Sequence, residues 1–409
     1  MNKVTLETIK EAQQTLEGVI KKTPIIESPF LTKDLGGNIF FKLENLQRTG
    51  SFKIRGAMNK IASLTDEEKA KGVIASSAGN HAQGVALGAT SKGIKSTIVM
   101  PETAPMAKVI ATKGYGAEVV LCGQVYDDAY AKACELQKET GAVFLHPFND
   151  PYVISGQGTI GLEILDELPN VDIVLVPIGG GGILAGIAKA IKSIKPSVKI
   201  IGVQTDNVPS MREALKAGHP VEITATPTIA DGIAVRRSGD LTFEIIKECV
   251  DEIVTVSEDE IVNSIFFLLE RNKVIAEGAG ATAAAAILAK KVDCAGKNVC
   301  AVVSGGNIDI GLVSRVINKG LFNEGRRYEF KVRIPNKTGE LQKILDFIKE
   351  CKGNITCVTQ GMYEEVGQGM YEESLTNNSK EVMFVVECID TEHREMLKNS
   401  MKEAGYILY

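Results

Sequence analysis

Four short stretches carry residues whose types and spacing could do chemistry, and each follows an apolar run. In Thr49-Gly50-Ser51-Phe52-Lys53-Ile54-Arg55-Gly56-Ala57 a lysine sits between two apolar residues where a helix begins. Partial desolvation and a positive helix end both disfavour its ammonium form and leave the nucleophilic amine that a Schiff base requires. Taken alone, a lysine is more often a solvated surface charge. Ser76-Ser77-Ala78-Gly79-Asn80-His81 opens another helix with small residues. Backbone N–H groups there can approach an anion such as a carboxylate, and Asn80 offers both a donor and an acceptor. A plain helix cap explains that stretch equally well on local grounds, and His81 reads as a structural histidine without a catalytic role. Gly179-Gly180-Gly181-Gly182-Ile183 exposes consecutive N–H groups that no side chain can block, which is physically a phosphate cradle. Four successive glycines lose much entropy on folding, so a purely structural reading has little force. The run is neither G-x-G-x-x-G nor a Walker A loop, since no Lys-Ser or Lys-Thr follows, which disfavours a nucleotide hydrolase. In Ser304-Gly305-Gly306-Asn307 the glycines let a flat ring lie near the backbone, while Ser304 offers a neutral hydroxyl.

Something must hold these stretches in place. Apolar runs at 39–43, 72–75, 96–100, 118–121, 173–177, 199–204 and 298–303 read as buried strands. Between them, 57–63, 81–92, 104–113, 126–140, 183–194 and 258–271 have helical periodicity. Strands alternating with helices predict an α/β fold with parallel sheets covered on both faces. Ligands in such folds gather beyond the carboxyl ends of the strands, where all four stretches lie. The rhythm changes after Gly320, and 322–327 reads as a linker. Residues 328–409 follow a strand–helix–strand–strand–helix–strand order, the ferredoxin-like βαββαβ plan, which predicts a separate domain. Within it, 360–367 (QGMYEEVG) and 368–375 (QGMYEESL) form an imperfect tandem repeat. The repeat is read as a lengthened connection, which costs little because loop closure depends weakly on length.

The bulk composition excludes several classes. The 409 residues include 46 basic and 51 acidic ones, a net charge of −5, with no basic arm or stripe to bind nucleic acid or a lipid surface. No apolar run is long enough to span a bilayer, and residues 1–22 read as a charged amphipathic helix rather than a signal peptide. A cytoplasmic protein is expected. Its 8 cysteines form no C-x-x-C pair and read as small buried hydrophobes, and its 4 histidines lack metal-ligand spacing.

Taken together and in order, S-F-K-I-R-G-A, S-A-G-N-H-A-Q-G, G-G-G-G and S-G-G-N resemble the threonine dehydratase branch of the tryptophan-synthase-β-like, fold-type II pyridoxal-phosphate enzymes. The segments T-I-A-D-G (228–232) and A-E-G-A-G-A (276–281) match as well. The resemblance implies a two-lobed catalytic domain over 1–321, with a small lobe at about 45–145. Its cofactor would be pyridoxal 5'-phosphate, carried by the amine of Lys53. Once freed by substrate, that amine would remove the α-proton. Phe52 would border the ring, Asn80 would bond the ring hydroxyl, and Ser304 would face the pyridine nitrogen. Gly179, Gly180, Gly181, Gly182 and Ile183 would hold the phosphate. Ser77, Ala78, Gly79 and Asn80 would line the substrate carboxylate site.

The implied reaction removes water from L-threonine, and from L-serine too, giving 2-oxobutanoate and ammonia from threonine. A neutral serine at the ring nitrogen moderates the electron sink and favours expulsion of a β-hydroxyl. No side chain in the motifs supplies the proton that the leaving oxygen needs, which leaves the phosphate as the hypothetical donor. Related racemases carry a serine where this chain has Ala78, so racemisation should be poor. They also use an acidic residue in a cation site where this chain has Gln204. Asp206 and Glu277 remain possible oxygen ligands, and the metal is left unknown.

The tail resembles an ACT regulatory domain, through V-R-I-P-N-K-T-G-E-L at 332–341. It implies an amino-acid or nucleotide effector at Asn336, Lys337, Thr338, Gly339 and Glu340, against the reading of a simple helix cap at Asn336. It also implies a homotetramer in isoleucine synthesis or threonine breakdown. Two alternatives stay open. One is a neighbouring activity (serine dehydratase, racemase or hydroxyaspartate dehydratase), with Arg55 or Arg236 the only arginines suggested for a second carboxylate. The other is a catalytically silent effector-binding module.

Overall fold

The computed structural model describes residues 3–360 and 379–409. The chain divides into two compact units, residues 1–309 and 310–409.

The first unit is built on two sheets. The larger has six strands in the order Ile25–Glu27, Asn38–Leu43, Asn298–Val303, Ile173–Pro177, Lys199–Thr205 and Glu252–Val256. All neighbours are parallel except the first pair. Ile173–Pro177 lies at its centre with every residue buried, as expected of an uninterrupted apolar run covered on both faces. The smaller sheet is wholly parallel, ordered Glu118–Leu121, Ser96–Met100, Val73–Ser76 and Val143–Phe144. Each strand run expected from the sequence is present. Three short strands lie outside those expectations: Ile25–Glu27, Val143–Phe144 and Glu252–Val256. The first and last are sheet edges and the second has only two residues, so none needs a continuous apolar run.

The helix Pro151–Glu167 was also not expected. Proline at its first turn and the Asp150 side chain, accepting from Tyr152 N at 2.8 Å and Val153 N at 3.1 Å, start it. Its glycines lower helix propensity but serve close packing. A Cβ at Gly156 would stand 2.7 Å from the Arg55 carbonyl oxygen, and one at Gly158 2.9 Å from that of Gly186. The helix thus wedges between Lys53–Ala62 and Gly182–Ile194, both of which carry site residues.

The second unit is a small antiparallel sheet with helices. Arg327–Pro335 alternates, with Tyr328, Phe330, Val332 and Ile334 buried, and pairs with Ser379–Glu387, which pairs in turn with Asn354–Gln360. Glu340–Glu350 and Thr391–Glu403 bury Ile344, Ile348, Leu397 and Met401 in the same core. In place of a full last strand at 406–408 there is one antiparallel bridge, Val332 to Leu408. The helix Ile310–Asn323 belongs to this unit, whose Arg394 donates to Phe322 O at 2.8 Å. The tandem repeat falls almost wholly outside the described residues, which resume at Ser379.

Candidate active site

All four sequence stretches meet at one cleft of the first unit, about 350 Å³ in volume, and every residue expected to hold cofactor or substrate lines it. The Lys53 loop is tied to the loop after Asn298–Val303: Phe52 N donates to Ser304 O at 3.1 Å, Gly306 N donates to Gly50 O at 2.8 Å, and Ser51 bridges Gly305. That tie places Phe52, Lys53 and Ser304 together.

Lys53 is the first residue of its helix, and Nζ donates to the Pro147 carbonyl at 3.0 Å. Burial pushes its pKa down to about 8, against the opposing pull of the Glu277 charge. The lowered pKa raises the share of free, nucleophilic amine near neutral pH far above that of an ordinary lysine. The opening of the helix Gly182–Ile194 faces the same space. Gly181 caps it at φ +97°, with no side-chain cap and no acidic residue in the first turn, so its leading N–H groups remain available to an anion. The Thr242 hydroxyl donates to Gly180 O at 2.6 Å and fixes the turn. Here the sequence reading undervalued packing. A Cβ on Gly180 would collide with the Phe148 ring, and one on Gly181 would stand 2.9 Å from Ile246, Met211 and Thr242. The glycines meet a steric demand as well as opening the N–H groups.

Asn80 is the first residue of Asn80–Ser91, and its amide is engaged on both sides. Nδ2 donates to Glu277 Oε1 at 2.6 Å, while Oδ1 accepts from Asn307 Nδ2 at 2.7 Å. Glu277 is buried, and that burial, reinforced by the charge of Asp231, raises its carboxyl pKa to about 7. His81 is held neutral, pushed down to about 3 by burial, with Nε2 2.8 Å from Leu145 O. Ser77, Ala78 and Gly79 line the cleft beside Asn80, and Ser304 Oγ lies 3.4 Å from Ala279 O.

Several lining residues escaped the motif reading, among them Lys108, Tyr126, Pro147 and Phe148. Lys108 follows the strand Ser96–Met100, so the rule placing ligands beyond strand ends could have found it. Asp231 belongs to the T-I-A-D-G segment and carried no site role there, while Glu277, in A-E-G-A-G-A, was weighed only as a possible oxygen ligand for a metal. Arg55 and Arg236 do not line the cleft. Arg55 is fully buried against Glu44 at 2.8 Å and Glu163 at 2.6 Å, and Arg236 pairs with Asp127 at 2.8 Å. Neither is placed for a second substrate carboxylate.

Asp206 is exposed, and Gln204 Oε1 accepts from Arg212 N at 3.0 Å. Among the described residues no cluster of three His, Cys, Asp or Glu side chains could hold a metal, and no helix is long and apolar enough to cross a membrane. The cysteines are free thiols, and contrary to the expectation of buried ones Cys357 is exposed and Cys122, Cys134 and Cys351 are half-buried. In the second unit Gly339, at φ +88°, caps the helix Glu340–Glu350, which corrects the reading of a cap at Asn336. Asn336, Lys337 and Thr338 are exposed beside it.

Residues 16–305 match the pyridoxal-phosphate dependent enzyme family. The chain is 50% identical over 404 residues to an L-threonine ammonia-lyase of Thermotoga maritima, covering 98% of each. It is 53% identical over 315 residues to a catabolic L-threonine dehydratase of Escherichia coli strain K12, covering 76% of this chain and 96% of that one. Among solved structures, maize serine racemase superposes with a TM-score of 0.74 at 37% identity, over 78% of this chain and 98% of that one.

Proposed function

Because the chain belongs to the pyridoxal-phosphate-dependent enzymes, we propose that its cleft is the seat of that cofactor, with Lys53 as the catalytic base. The activity is pyridoxal-phosphate-dependent deamination of L-threonine, by loss of water, to 2-oxobutanoate and ammonia. The residues fit the cofactor: a buried amine of lowered pKa shares one cleft with the uncapped start of a helix opened by glycines. When bound, pyridoxal phosphate supplies the electron sink through which the α-hydrogen and the β-hydroxyl can leave.

The chain's own residues do the rest. Lys53 would hold the cofactor through Nζ, and after an incoming amino acid frees that amine, Nζ would take the α-proton. The N–H groups of Gly179 to Ile183 would hold the phosphate, Phe52 would border the ring, and Ser304 would offer its neutral hydroxyl to the ring nitrogen. The Asn80 amide, braced by Glu277 and Asn307, would meet the ring hydroxyl without rotating away. Ser77, Ala78, Gly79 and Asn80 would hold the substrate carboxylate. Ala78 has no proton to give the opposite face of the substrate, so racemisation should be poor, and L-serine is a further substrate of the same deamination.

The observation that carries this assignment is the buried Lys53 amine in the cleft of the tetraglycine turn. Borohydride reduction of the holoenzyme, followed by peptide mass mapping, should place the cofactor on Lys53. Lys53→Ala should lower kcat by at least about 10³, the scale of losing the group that moves the proton. A label on another lysine overturns the assignment.

For the second unit we propose an ACT-type regulatory role in a cytoplasmic homotetramer, with an effector at Asn336, Lys337, Thr338, Gly339 and Glu340. Its strand–helix–strand–strand–helix order supports this, as does an exposed loop leading into a helix without a side-chain cap. A relative aligned over 98% of this chain spans the unit, whereas the Escherichia coli one accounts for only 76%. Titrating deamination with isoleucine, valine, AMP and ADP tests it, and no response to any leaves the unit architectural.

A further inference from the structure

The cleft holds a second lysine, and its pairing bears on which amino acids the site admits. The charged residues lining the cleft are Lys53, Lys108, Asp231 and Glu277. Lys53 is reserved for the chemistry, and the Glu277 carboxylate accepts from Asn80. That leaves Lys108, on the helix Met106–Gly114 beside the four-stranded sheet, and Asp231, on the turn Asp231–Ile233 that carries the T-I-A-D-G segment. Lys108 Nζ donates to Asp231 Oδ2 at 2.8 Å, across the space between the two.

We propose that the Lys108–Asp231 pair is the side-chain filter of this site: Asp231 neutralises Lys108, so that β-hydroxy amino acids with uncharged side chains are admitted and those bearing a second carboxylate are turned away. The proposal rests on reading the cleft as a threonine-deaminating site. An anionic side chain entering here meets no unpaired cation, because neither Arg55 nor Arg236 reaches the cleft. It meets two acids instead, one of them buried. A carboxylate that loses water without gaining a partner is strongly disfavoured, whereas the methyl of threonine loses nothing. The Lys108 side chain is 26% exposed and that of Asp231 61%, so a carboxylate taking the place of Asp231 would keep part of its water and gain the ammonium as its one cationic partner.

The test uses holoenzyme and compares kcat/KM for L-threonine and L-threo-3-hydroxyaspartate in wild type, Asp231→Asn and Asp231→Asn with Lys108→Met. The hydroxyaspartate-to-threonine ratio should rise about tenfold in the single variant and fall back in the double, because the gain needs the freed ammonium. Succinate, which cannot react, should inhibit the single variant more tightly by a similar factor. Lys108→Met alone provides an independent arm should Asp231→Asn not fold. It leaves Asp231 unpaired, so inhibition by cationic L-2,3-diaminopropionate should tighten while inhibition by succinate does not. An unchanged ratio in Asp231→Asn, or a gain that survives in the double variant, overturns the filter, as does an unaltered response of Lys108→Met to both inhibitors. Absence of threonine turnover in wild type would instead overturn the functional reading, and succinate and diaminopropionate binding would still judge the pair.

Discussion

Lys53 and Arg55 are two residues apart on one helix, and their cations meet opposite fates. The Lys53 amine has a carbonyl partner, Pro147 O, and no carboxylate in contact, and burial lowers its pKa to about 8. The Arg55 guanidinium is buried too, and burial alone would weaken its charge, but Glu44 and Glu163 outweigh that and hold it more firmly protonated than usual. Around it Lys42 Nζ lies 2.6 Å from Glu163, and Thr23 and Thr159 supply hydroxyls to Glu44 and Arg55. A buried cation denied a counter-charge becomes a reagent, and one surrounded by carboxylates becomes a structural post. The post serves the reagent: Arg55 pins the first turn of the helix that begins at Lys53 to the central helix Pro151–Glu167.

The comparison breaks most visibly when the post loses a partner. Glu163→Ala leaves Arg55 and Lys42 with excess buried positive charge, and such breakage costs about 3–5 kcal/mol. Thermal unfolding of the purified protein should show it as a fall in Tm, while any protein that remains folded keeps its bound cofactor. The pH dependence has a definite sign. Burial would raise the Glu163 pKa, but Arg55 and Lys42 pull it below its ordinary 4.5. Its stabilisation is therefore complete above about pH 4.5 and is lost as pH falls through the lowered folded value. The gap between wild type and Glu163→Ala should accordingly narrow on acidification, and a constant gap would mean packing rather than charge.

The opposite sign is expected at the reagent. In the apoprotein Lys53 has a folded pKa of about 8 against 10.5 in a free chain, so the unfolded state binds more protons between those values. Apoprotein stability should rise with pH from 8 to 10.5, and Lys53→Met should remove that rise. The shift alone corresponds to about 3 kcal/mol, and because Lys53 is only partly buried as a residue, about 2 kcal/mol of stabilisation at pH 7 is expected. Denaturant unfolding of both apoproteins at pH 7 and pH 10 measures it. Equal slopes against pH would show that Lys53 carries no burial penalty.

How much of this was legible in the sequence follows the same division. Lys53, the tetraglycine turn and Ser304 sit on loops after strands whose apolar runs announce them, so both the strands and the cleft could be read directly. The post could not. Arg55 meets Glu163 across 108 positions, and Thr159 across 104, so no local pattern joins them. The helix supplying both was hidden because Gly156, Gly158 and Gly161 depress helix propensity yet are what let it pack so closely. Arg55, read as a possible substrate contact, turned out to be a fully enclosed cation, as Lys42 is. Lys108 and Asp231 were similarly invisible as a pair, since their meeting depends on how the two sheets are set within the first unit.

The finest test removes one hydroxyl from the post. Thr159 Oγ1 accepts from Arg55 Nη1 at 3.0 Å and donates to Gly156 O at 2.7 Å. Thr159→Val keeps the shape of the side chain and removes both bonds. Arg55 keeps its two carboxylates, so the loss should be about 1.5 kcal/mol, the low end for a hydrogen bond to a charged group. Threonine turnover and the visible absorbance of the holoenzyme should not change, because Thr159 touches neither the cleft nor Lys53. If instead kcat falls severalfold while stability holds, the guanidinium must tune the amine two residues away, and post and reagent would be one electrostatic unit rather than two.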